Sequence, residues 1–510
     1  MPAAYPESVV LSRAPGHSVL FADLLEVAEM HNARLVVTDA TKHPANPVLP
    51  AGLIGRWDSM QASPWQGTVL WDAEDGLFKC WYMGIDAEEA GIQRPRTGYA
   101  TSVDGIAWDR PDLGICDYKG SRANNLLVDN TPRRTNGPCL KDIADPNPDR
   151  RYKLFLPDEH ENKEIWNSPD GIHFTREGKP CLTSARTPDG AYRWLPDPQA
   201  WFDVHQVLYD PQDPDPQRRY KCYGQISAPK SPERGGWTSR KGGMAFGPDP
   251  WTWTRSTHNP IIDPYDGEEF QIHFISVFPW KGYYFMLYEF GWIEPLLDSY
   301  VGDVRLAVSR DGEVFRRVNA HEPVIRRGAR HEWDSGFIVT SSDVVVYGSE
   351  LRLYYSGQAE TWTLWPLGDR VPKKVGWPQS VGSIYPAQMG LATLPLDGFT
   401  GLESRDREMP AIVTTIPIEP TAAAVGLSAS VSRTLAGRSW IDVAVLGSNG
   451  EEIDGNGRAN CHHLSTDGAD QPVRWTDSLR LPSVAEPVQL RFWIYGQARL
   501  HGFTFTDRSQ

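Results

Sequence analysis

The sequence contains no run near the ~18 consecutive apolar residues that a membrane-spanning helix needs. Its first ten residues, MPAAYPESVV, do not combine a basic segment with an apolar one, as a secretory signal does. We therefore expect a cytoplasmic protein with no membrane partner.

Positive charge is scarce relative to negative charge. The 510 residues include 51 Lys and Arg against 65 Asp and Glu, which gives a formal net charge of −14. Proteins that track nucleic-acid phosphates carry the opposite balance, because they must neutralise a polyanion. Nucleic acid is therefore not an expected partner.

Several chemical motifs are also missing. The six cysteines include no Cys-x-x-Cys pair, so free thiols are expected rather than a disulfide framework. No G-x-S-x-G, H-E-x-x-H or P-loop sequence is present. The usual nucleophile, zinc and phosphate-loop signatures therefore do not explain the chain.

Aromatic and turn-forming residues, in contrast, are abundant. The chain has 20 Trp, 19 Tyr and 17 Phe, together with 45 Gly and 42 Pro. That mixture disfavours a helical bundle and predicts many short β-strands. One short helix is predicted over 18–31, where Leu20, Leu24, Val27 and Ala28 follow helical spacing and Ser18 can cap the first turn.

A strand-like pattern recurs five times, at a mean spacing of roughly 68 residues. The copies are FKCWY at Phe78, YKLFL at Tyr152, YKCYG at Tyr220, YFMLY at Tyr284 and RLYYS at Arg352. A second pattern, Ser-x-Asp-Gly followed by an aromatic residue, begins at Ser102, Ser168 and Ser309. Because Asp-Gly between β-type runs favours a hairpin, each unit is expected to hold two hairpins, or four strands.

Four-stranded sheets that repeat radially form a propeller, since closure leaves only short exposed edges. The repeat ends near Phe399, and alternating runs such as 440–445 and 489–494 predict a β-sandwich after it. The predicted fold class is all-β. It comprises an N-terminal arm with a short helix over 1–50, a five-bladed β-propeller over 51–403 and a C-terminal β-sandwich over 404–510.

Carboxylates beside aromatic residues recur just upstream of the second-strand repeats, where first strands line the channel of a propeller. Such carboxylates suit glycosidic-bond cleavage, in which one group is ionised and another keeps its proton. The candidate catalytic residues are Asp58, Asp142, Asp203, Glu269 and Glu332. The candidate substrate-binding residues are Trp57, Trp201, His205, His273, Arg330, Trp333 and Asp334.

Each of these candidates has a structural alternative. Asp58 can cap a turn, and Asp142 can belong to the acidic turn beside it. Asp203 can orient His205, and Glu332 or Asp334 can form a salt bridge with Arg330. The two histidines can be buried residues without a ligand, and the tryptophans can be core residues.

The KHPANPVLP entry at 42–50, the Ser-x-Asp-Gly hairpins, the five repeats and the trailing sandwich resemble the propeller glycosidases of glycoside hydrolase families 32, 43 and 68. These are the invertase/fructanase and arabinanase/xylosidase groups. The resemblance implies a glycoside hydrolase acting on a furanosidic, fructosyl- or arabinosyl-type bond. It also implies Asp58 as nucleophile or base, Asp142 as transition-state stabiliser and Asp203 as general acid.

The chain departs from this pattern at two sites. Invertases carry Asn-Asp-Pro-Asn at the first site and Glu-Cys at the third, whereas this chain has Arg-Trp-Asp-Ser and Phe-Asp-Val-His. A divergent member is therefore expected, with Glu269 or Glu332 as the alternative acid.

Two other functions stay open from the sequence. A cytosolic phosphorylase of the mannoside phosphorylase type shares the architecture and needs a cationic clamp for phosphate, for which residues 326, 327, 330 and 331 are available. A non-catalytic carbohydrate-binding propeller needs aromatic and amide side chains without paired acids. An oligosaccharide or glycoside is the expected ligand in each case.

No cofactor or metal is predicted, and a structural calcium or other ion in the central channel is the alternative. The Trp-containing segment 358–383 is a candidate lid or a contact in a homo-oligomer.

Overall fold

The computed structural model describes residues 11–12, 18–92, 95–128, 136–158, 162–182, 201–231, 237–264, 269, 271–294, 299–359, 386–420, 422–431, 438–476, 479–481 and 487–506. Structural statements below concern these residues. The candidate lid over 358–383 lies outside them, apart from its first two residues.

The described chain is almost entirely β-structure, which confirms the all-β prediction. The helical turns are of the 3-10 type and span Ala87–Ile92, Pro148–Arg150, Pro216–Arg218 and Arg458–Asn460. In the ranges given above, no helix is long and apolar enough to cross a membrane.

Short strands precede the repeated region. They are β1 (Leu11–Ser12), β2 (Ser18–Leu20), β3 (Val27–His31), β4 (Ala33–Val37) and β5 (Thr41–Lys42).

Antiparallel pairing groups the strands of 61–395 into five units. Unit 1 contains β6 (Gln61–Asp72), β7 (Leu77–Ile85), β8 (Arg96–Ser102) and β9 (Leu126–Val128). Unit 2 contains β10 (Cys139–Lys141), β11 (Tyr152–Pro157), β12 (Lys163–Ser168) and β13 (Thr175–Leu182). Unit 3 contains β14 (Trp201–Tyr209), β15 (Tyr220–Ser231), β16 (Trp237–Asp249) and β17 (Thr252–Arg255).

The last two units follow the same plan with small changes. Unit 4 contains β18 (Ile275–Trp280), β19 (Tyr283–Glu294), β20 (Ser299–Ser309) and β21 (Arg316–Arg317). Unit 5 contains β22 (Phe337–Thr340), β23 (Val345–Tyr347), β24 (Glu350–Gln358) and β25 (Ala387–Pro395). Strand β5 pairs with β25, so a segment that precedes unit 1 in sequence completes unit 5.

Parallel pairs connect some of these units. Strand β20 of unit 4 pairs with β22 of unit 5 at Gly302 and Phe337, and β25 of unit 5 pairs with β6 of unit 1 at Ala387 and Gln61. The last unit is therefore in direct contact with the first.

The remaining strands form two larger sheets and one small pair. They are β26 (Thr400–Ser404), β27 (Ala411–Thr415), β28 (Ile418–Glu419), β29 (Ala424–Ser430), β30 (Trp440–Leu446), β31 (Gly468–Pro472), β32 (Gln489–Tyr495) and β33 (Arg499–Thr506). One sheet has the order β31-β29-β33-β26-β4, with β2 also on β33, and the other has the order β3-β27-β32-β30. Both sheets contribute to one hydrophobic core that includes Val413, Phe492 and Phe503.

The predicted helix over 18–31 is wrong. The segment forms β2 and β3, separated by a turn in which Leu24 has φ 62°. Val19 and Phe21, two residues apart, both lie in the C-terminal core, a spacing that fits a strand. Strand β2 pairs with β33 and strand β3 pairs with β27, and these pairings satisfy the backbone hydrogen bonds of the segment. Tertiary contacts therefore override the helical spacing of the apolar residues.

A buried Asp, Lys and Tyr join neighbouring units at three places, which we call the inter-unit triads. The Asp lies at the end of a first strand, the Lys on the second strand of the same unit, and the Tyr on the second strand of the next unit. The triads are Asp72–Lys79–Tyr152, Asp142–Lys153–Tyr220 and Asp210–Lys221–Tyr284. The Lys Nζ to carboxylate distances are 2.9, 2.9 and 3.2 Å, and the Tyr hydroxyls donate at 2.5, 2.9 and 2.5 Å.

The first triad shows how a buried carboxylate is kept charged. Burial alone would raise the pKa of Asp72, but hydrogen bonds from Lys141, Tyr152 and Lys79 outweigh it and hold that pKa well below its usual value. The charge of each triad is therefore neutralised inside the interface between two units, and the repeated Tyr-Lys sequence has a structural cause.

The Ser-x-Asp-Gly turns form a second set of contacts between units. Their glycines Gly105, Gly171 and Gly312 have φ values of 73°, 79° and 76°. Each glycine carbonyl accepts a hydrogen bond from an aromatic side chain of the preceding unit, namely Tyr354, Trp81 and Tyr223, at 2.9, 2.8 and 3.0 Å. Since Tyr354 belongs to unit 5 and Gly105 to unit 1, this contact also joins the last unit to the first.

Tyr220→Phe tests the triads. It removes the hydrogen bonds from the phenol to Asp142 and should lower the free energy of unfolding by about 1.5–3 kcal/mol, because the acceptor is charged and buried. The control is Tyr209→Phe, since the Tyr209 ring packs at a tilt against Tyr220 with centroids 5.0 Å apart, but its hydroxyl donates no hydrogen bond among the described residues. Equal effects of the two substitutions in urea unfolding would contradict the role of the triads.

Gly171→Ala tests the turn contacts. A Cβ at Gly171 would lie 2.7 Å from the Trp81 ring, whereas a Cβ at Gly178, which has φ 71°, meets nothing within 4 Å. Gly178→Ala should cost about 1–2 kcal/mol from backbone strain alone. Gly171→Ala should cost a further ~1–3 kcal/mol from the forced displacement of Trp81. Thermal unfolding of both variants measures the difference, and equal losses would show that the contact with Trp81 is unimportant.

Candidate active site

Four aromatic rings form a wall where units 1, 4 and 5 meet. The Trp65 ring stacks on Phe337 with centroids 5.6 Å apart and contacts the edge of His273 at 5.6 Å. Tyr300 lies 5.8 Å from Phe337. Trp65 lies within an irregularity of β6, where the register shifts between Ser63 and Thr68, and such bulges re-aim side chains.

Polar side chains of units 2 and 3 attach to this wall. Asn136, just before β10, donates its Nδ2–H to the Trp65 carbonyl at 2.8 Å, and Gln225 on β15 donates to the His273 carbonyl at 3.2 Å. One connected set of contacts therefore includes residues of all five units. We call it the central cluster, and its members are Trp65, Asn136, Asp203, His205, Gln225, Gln271, His273, Glu289, Tyr300 and Phe337.

His205 is buried in this cluster on β14, next to a register shift between Val204 and Gln206. Its ring stacks on Phe274 with centroids 4.5 Å apart, and its Nδ1 accepts a hydrogen bond from the Ile275 amide at 3.2 Å. Burial lowers the pKa of His205 to about 4, although the charge of Asp203 acts in the opposite direction. The imidazole is therefore neutral at pH 7, and its proton is on Nε2.

Some buried polar atoms of the cluster have no hydrogen-bond partner among the described residues. They include Nε2 of His205, Oε1 of Gln225, Oδ1 of Asn136 and Nε2 of Gln271. Leaving such groups unsatisfied costs about 1–3 kcal/mol each, so native proteins rarely do so without a reason. Of these four atoms two are donors and two are acceptors, a combination that suits a ligand bearing hydroxyl groups.

Glu289 on β19 is a buried carboxyl of the cluster and is 1% exposed. Its Oε1 is hydrogen-bonded to the Tyr300 hydroxyl, which donates when the carboxyl is ionised, and its Oε2 accepts a hydrogen bond from the His273 amide. Burial raises the pKa of Glu289 to about 8, more than these hydrogen bonds lower it, and the nearby charge of Glu269 raises it further. The carboxyl therefore holds its proton at neutral pH.

The structure brings together three of the residues predicted from the sequence. Asp203 and His205 lie on β14 and influence each other electrostatically, and Gln225, which is paired with Asp203 in register, reaches His273. Glu269 lies beside the cluster, where it forms a 2.7 Å ion pair with Arg317. Its negative charge raises the pKa of Glu289.

Two other predicted pairs share a different local structure. Asp58 accepts hydrogen bonds from Tyr82 at 2.9 Å and Arg110 at 2.8 Å, while Trp57 stacks on Tyr82 at 5.3 Å. In unit 5, Asp334 accepts from Tyr355 at 2.8 Å and Lys42 at 2.5 Å, and Trp333 stacks on Tyr355 at 5.8 Å. The repeated Trp-Asp-Ser sequence thus produces the same packing twice, and this geometry favours a structural role for both acids.

The other predicted residues are dispersed. Asp142 belongs to an inter-unit triad, and Glu332 is an exposed residue that accepts a hydrogen bond from the Ala329 amide at 2.7 Å. Arg330 is exposed, and Asp334 pairs with Lys42 rather than with it. The side chain of Trp201 lies outside the described residues. Catalytic roles for Asp58, Asp142 and Glu332 stay predictions, without support from their surroundings.

Sequence reasoning missed Trp65, Asn136, Gln225, Gln271, Glu289 and Tyr300. A signal was present for Glu289, since it is a lone acid within the apolar and aromatic run YFMLYEFGW. The amides carry no such signal, because their role depends on contacts between different units.

Metal binding was considered separately. Among the described residues, no three His, Cys, Asp or Glu side chains come together as a ligand set. The expectation that no metal is required stays a prediction.

Comparisons with known proteins were made for the sequence and for the structure. No family model matches the sequence, and no curated protein matches it. A β-1,2-mannobiose phosphorylase from Listeria innocua is similar in structure, with a TM-score of 0.43 and 10% identity over 71% of this chain and 98% of that one. A fructofuranosidase from Schwanniomyces occidentalis, solved with fructosylnystose, is also similar in structure. Its TM-score is 0.39 and its sequence identity is 9%, over 98% of this chain and 99% of that one.

A third similar structure belongs to work on mannoside phosphorylase family GH130, which contains glycoside hydrolases that target β-1,2-mannosidic linkages in Candida mannan. It gives a TM-score of 0.40 and 15% identity over 71% of this chain and 94% of that one. The similar structures thus include glycoside hydrolases and a phosphorylase at low identity.

The titration of His205 provides a test of the site. We expect ¹⁵N NMR to show a neutral imidazole protonated on Nε2 at pH 7 and a transition near pH 4, with signals assigned by their loss in His205→Asn. Because the folded pKa lies below the ordinary value of 6.5, the unfolded chain binds the proton first as pH falls. The free energy of unfolding should therefore fall as the pH is lowered from 6.5 to 4, because of His205. A transition near 6.5 would show that the ring is not in this buried environment.

Proposed function

We propose that the protein cleaves a glycosidic bond in a pocket formed by the central cluster. The observation that carries this proposal is the set of buried, unpartnered atoms on His205, Gln225 and Asn136 beside an aromatic wall. Sugar hydroxyls can donate to the two amide oxygens and accept from the imidazole N–H. The apolar rings exclude water and strengthen these hydrogen bonds.

We infer that units 1 to 5 are the blades of a five-bladed propeller and that the two C-terminal sheets form a β-sandwich. Support comes from the four-strand pairing of each unit, from β5 completing unit 5, and from the contact of Tyr354 with Gly105 between the last and first units. The shared core of the two C-terminal sheets supports the sandwich. The proposed domains are 1–50, 51–403 and 404–510, with two changes: β2, β3 and β4 pair with C-terminal strands, and β26 (Thr400–Ser404) belongs to a C-terminal sheet.

Cleavage requires two carboxyl groups in different protonation states. We assign Asp203 the role of the carboxylate that attacks the sugar or activates water. Glu289 supplies the protonated carboxyl group, since its buried environment keeps it neutral at pH 7. This pair replaces the trio Asp58, Asp142 and Asp203 that the family resemblance implied, because Asp58 and Asp142 have cation and phenol partners of their own.

Phosphorolysis is the second candidate. The predicted clamp is dispersed, because Arg326 pairs with Asp39 and Arg327 lies over Trp292. The cations whose charge acts on His205 are instead Lys163 and Arg240. A phosphate beside His205 would be attracted by the positive charge of these two side chains.

A screen of aryl furanosides and pyranosides, each with and without inorganic phosphate, tests the proposed function. Turnover without phosphate indicates hydrolysis, and turnover that needs phosphate indicates phosphorolysis. If sugars bind without any turnover in either condition, the protein is a carbohydrate-binding propeller and the proposal is wrong.

Two predicted acids can be compared directly by amide substitution. Asp203→Asn should lower kcat/KM by about 10²–10⁴-fold with little change in thermal stability, since it removes a reacting carboxylate. Asp142→Asn should lower thermal stability and leave the activity of the folded fraction nearly unchanged, because Lys153 loses its buried partner. The reverse pattern, with Asp142 controlling turnover and Asp203 controlling stability, would contradict the assignment. Kinetics below the unfolding transition separate the two effects.

A further inference from the structure

Glu289 has a restricted set of neighbours, and this restriction determines where its proton can go. Its Oε2 accepts the hydrogen bond from the His273 amide, which has no lone pair with which to accept a proton. Its Oε1 contacts the hydroxyl of Tyr300. Since the residue is 1% exposed and its Oε2 is taken by an amide donor, a proton on Glu289 would sit on Oε1 and reverse the hydrogen bond that Tyr300 donates to the ionised carboxylate.

The space around this contact is shaped by two glycines. A Cβ at Gly291 would lie 1.9 Å from the Tyr300 hydroxyl and 2.3 Å from Oε1 of Glu289, and a Cβ at Gly302 would lie 3.2 Å from Oε1. Any larger residue at Gly291 would separate the carboxyl from the phenol. The sequence around these glycines therefore preserves a direct contact between Glu289 and Tyr300.

When Glu289 donates to the phenol oxygen, the hydroxyl proton of Tyr300 becomes available on its other side. The side chain of Gln271 faces that hydroxyl, and the Tyr300 ring packs on Phe337 of the aromatic wall. When Glu289 is ionised, Tyr300 must instead donate to the carboxylate. The protonation state of Glu289 thus sets the direction in which Tyr300 donates.

We propose that Tyr300 donates the proton to the departing oxygen and that Glu289 resupplies it, so that the two residues form a proton relay into the central cluster. This inference rests on the proposed function. Tyr300 is the catalytic group of the relay, and Glu289 is a positioning residue that acts through it.

In hydrolysis, the bond between the anomeric carbon and the glycosidic oxygen breaks, the oxygen takes the phenolic proton of Tyr300, and the phenol oxygen takes the carboxyl proton of Glu289. A water molecule bonds to the anomeric carbon and gives its proton to Asp203. That proton passes to solvent, from which Glu289 is protonated again.

Several charged or titratable groups face Glu289. From the segment before β18 these are Glu269 and His273, from β20 Tyr300, and from β16 Arg240. Strand β22 carries no ionisable side chain, since its sequence is FIVT. Glu269 favours the neutral form of Glu289 and Arg240 opposes it, and burial remains the largest effect.

The test compares Tyr300→Phe and Glu289→Gln on two aryl glycosides of the sugar that the screen identifies, one with a 2,4-dinitrophenyl and one with a phenyl leaving group. The dinitrophenolate departs without a proton, and the phenolate needs one. Both variants should lose about 10²–10⁴-fold in kcat on the phenyl glycoside and less than about tenfold on the dinitrophenyl glycoside. The double variant should lose no more than either single variant, because the two residues act in one relay.

Tyr354→Phe is the matched control, since it also removes one buried phenolic hydrogen bond but lies outside the central cluster. It should lower stability without any dependence on the leaving group. If Tyr300→Phe behaves like this control while the wild type cleaves both glycosides, the relay is wrong and the proposed function stands. If the wild type cleaves no glycoside in the screen, the proposed function fails and the relay fails with it.

A stability measurement reports the proton on Glu289 without any substrate. Because its folded pKa is raised to about 8 from 4.5, the unfolded chain releases the proton first as pH rises. The free energy of unfolding of the wild type should therefore fall, relative to Glu289→Gln, between about pH 4.5 and 8. A flat difference over this range would show that Glu289 carries no proton to pass on, and would overturn the relay.

Discussion

The arrangement depends on how neighbouring four-stranded units are fastened at their interfaces. A buried Asp that accepts hydrogen bonds from a Lys of its own unit and a Tyr of the next unit fixes both the spacing and the order of the units. The Ser-x-Asp-Gly turns also fasten neighbouring units, and the hydrogen bond to the Gly105 carbonyl joins units 5 and 1 in the same way. Because the interfaces fix how the units face one another, residues about 68 positions apart in sequence meet in the central cluster.

This constraint also explains why acids with similar sequence surroundings have different roles. Asp142 and Asp203 both lie near the first strand of a unit, but Asp142 is at its end, where an inter-unit triad forms, and Asp203 is nearer its start. Asp58 and Asp334 precede the first strands and pack with Trp, Tyr and a cation. Position along the strand therefore separates carboxylates that neutralise an interface from those that face the central cluster.

Much of the architecture was predictable from the sequence, and the exceptions have physical causes. The period of the YK and Ser-x-Asp-Gly patterns predicted repeated units of four strands, since each pattern supplies contacts at three of the interfaces between units. The helix over 18–31 was wrong because β33 and β27 recruit that segment as strands. Asp203, His205 and His273 were among the candidates from the sequence and lie in the central cluster, whereas Asn136, Gln225 and Tyr300 were not among them, since each enters the cluster only through contacts with a residue of another unit or strand. Glu289 was visible in the sequence as an acid in an apolar strand, but its proton depends on burial.

The proposed function depends on the central cluster binding and cleaving a glycoside. A crystal structure of Asp203→Asn with an uncleaved glycoside bound would test this. Sugar hydroxyls should lie within hydrogen-bond distance of His205 Nε2, Gln225 Oε1 and Asn136 Oδ1, with the glycosidic oxygen next to the Tyr300 hydroxyl. A glycoside bound beside Asp58 or Asp334, with the central cluster unchanged, would contradict it.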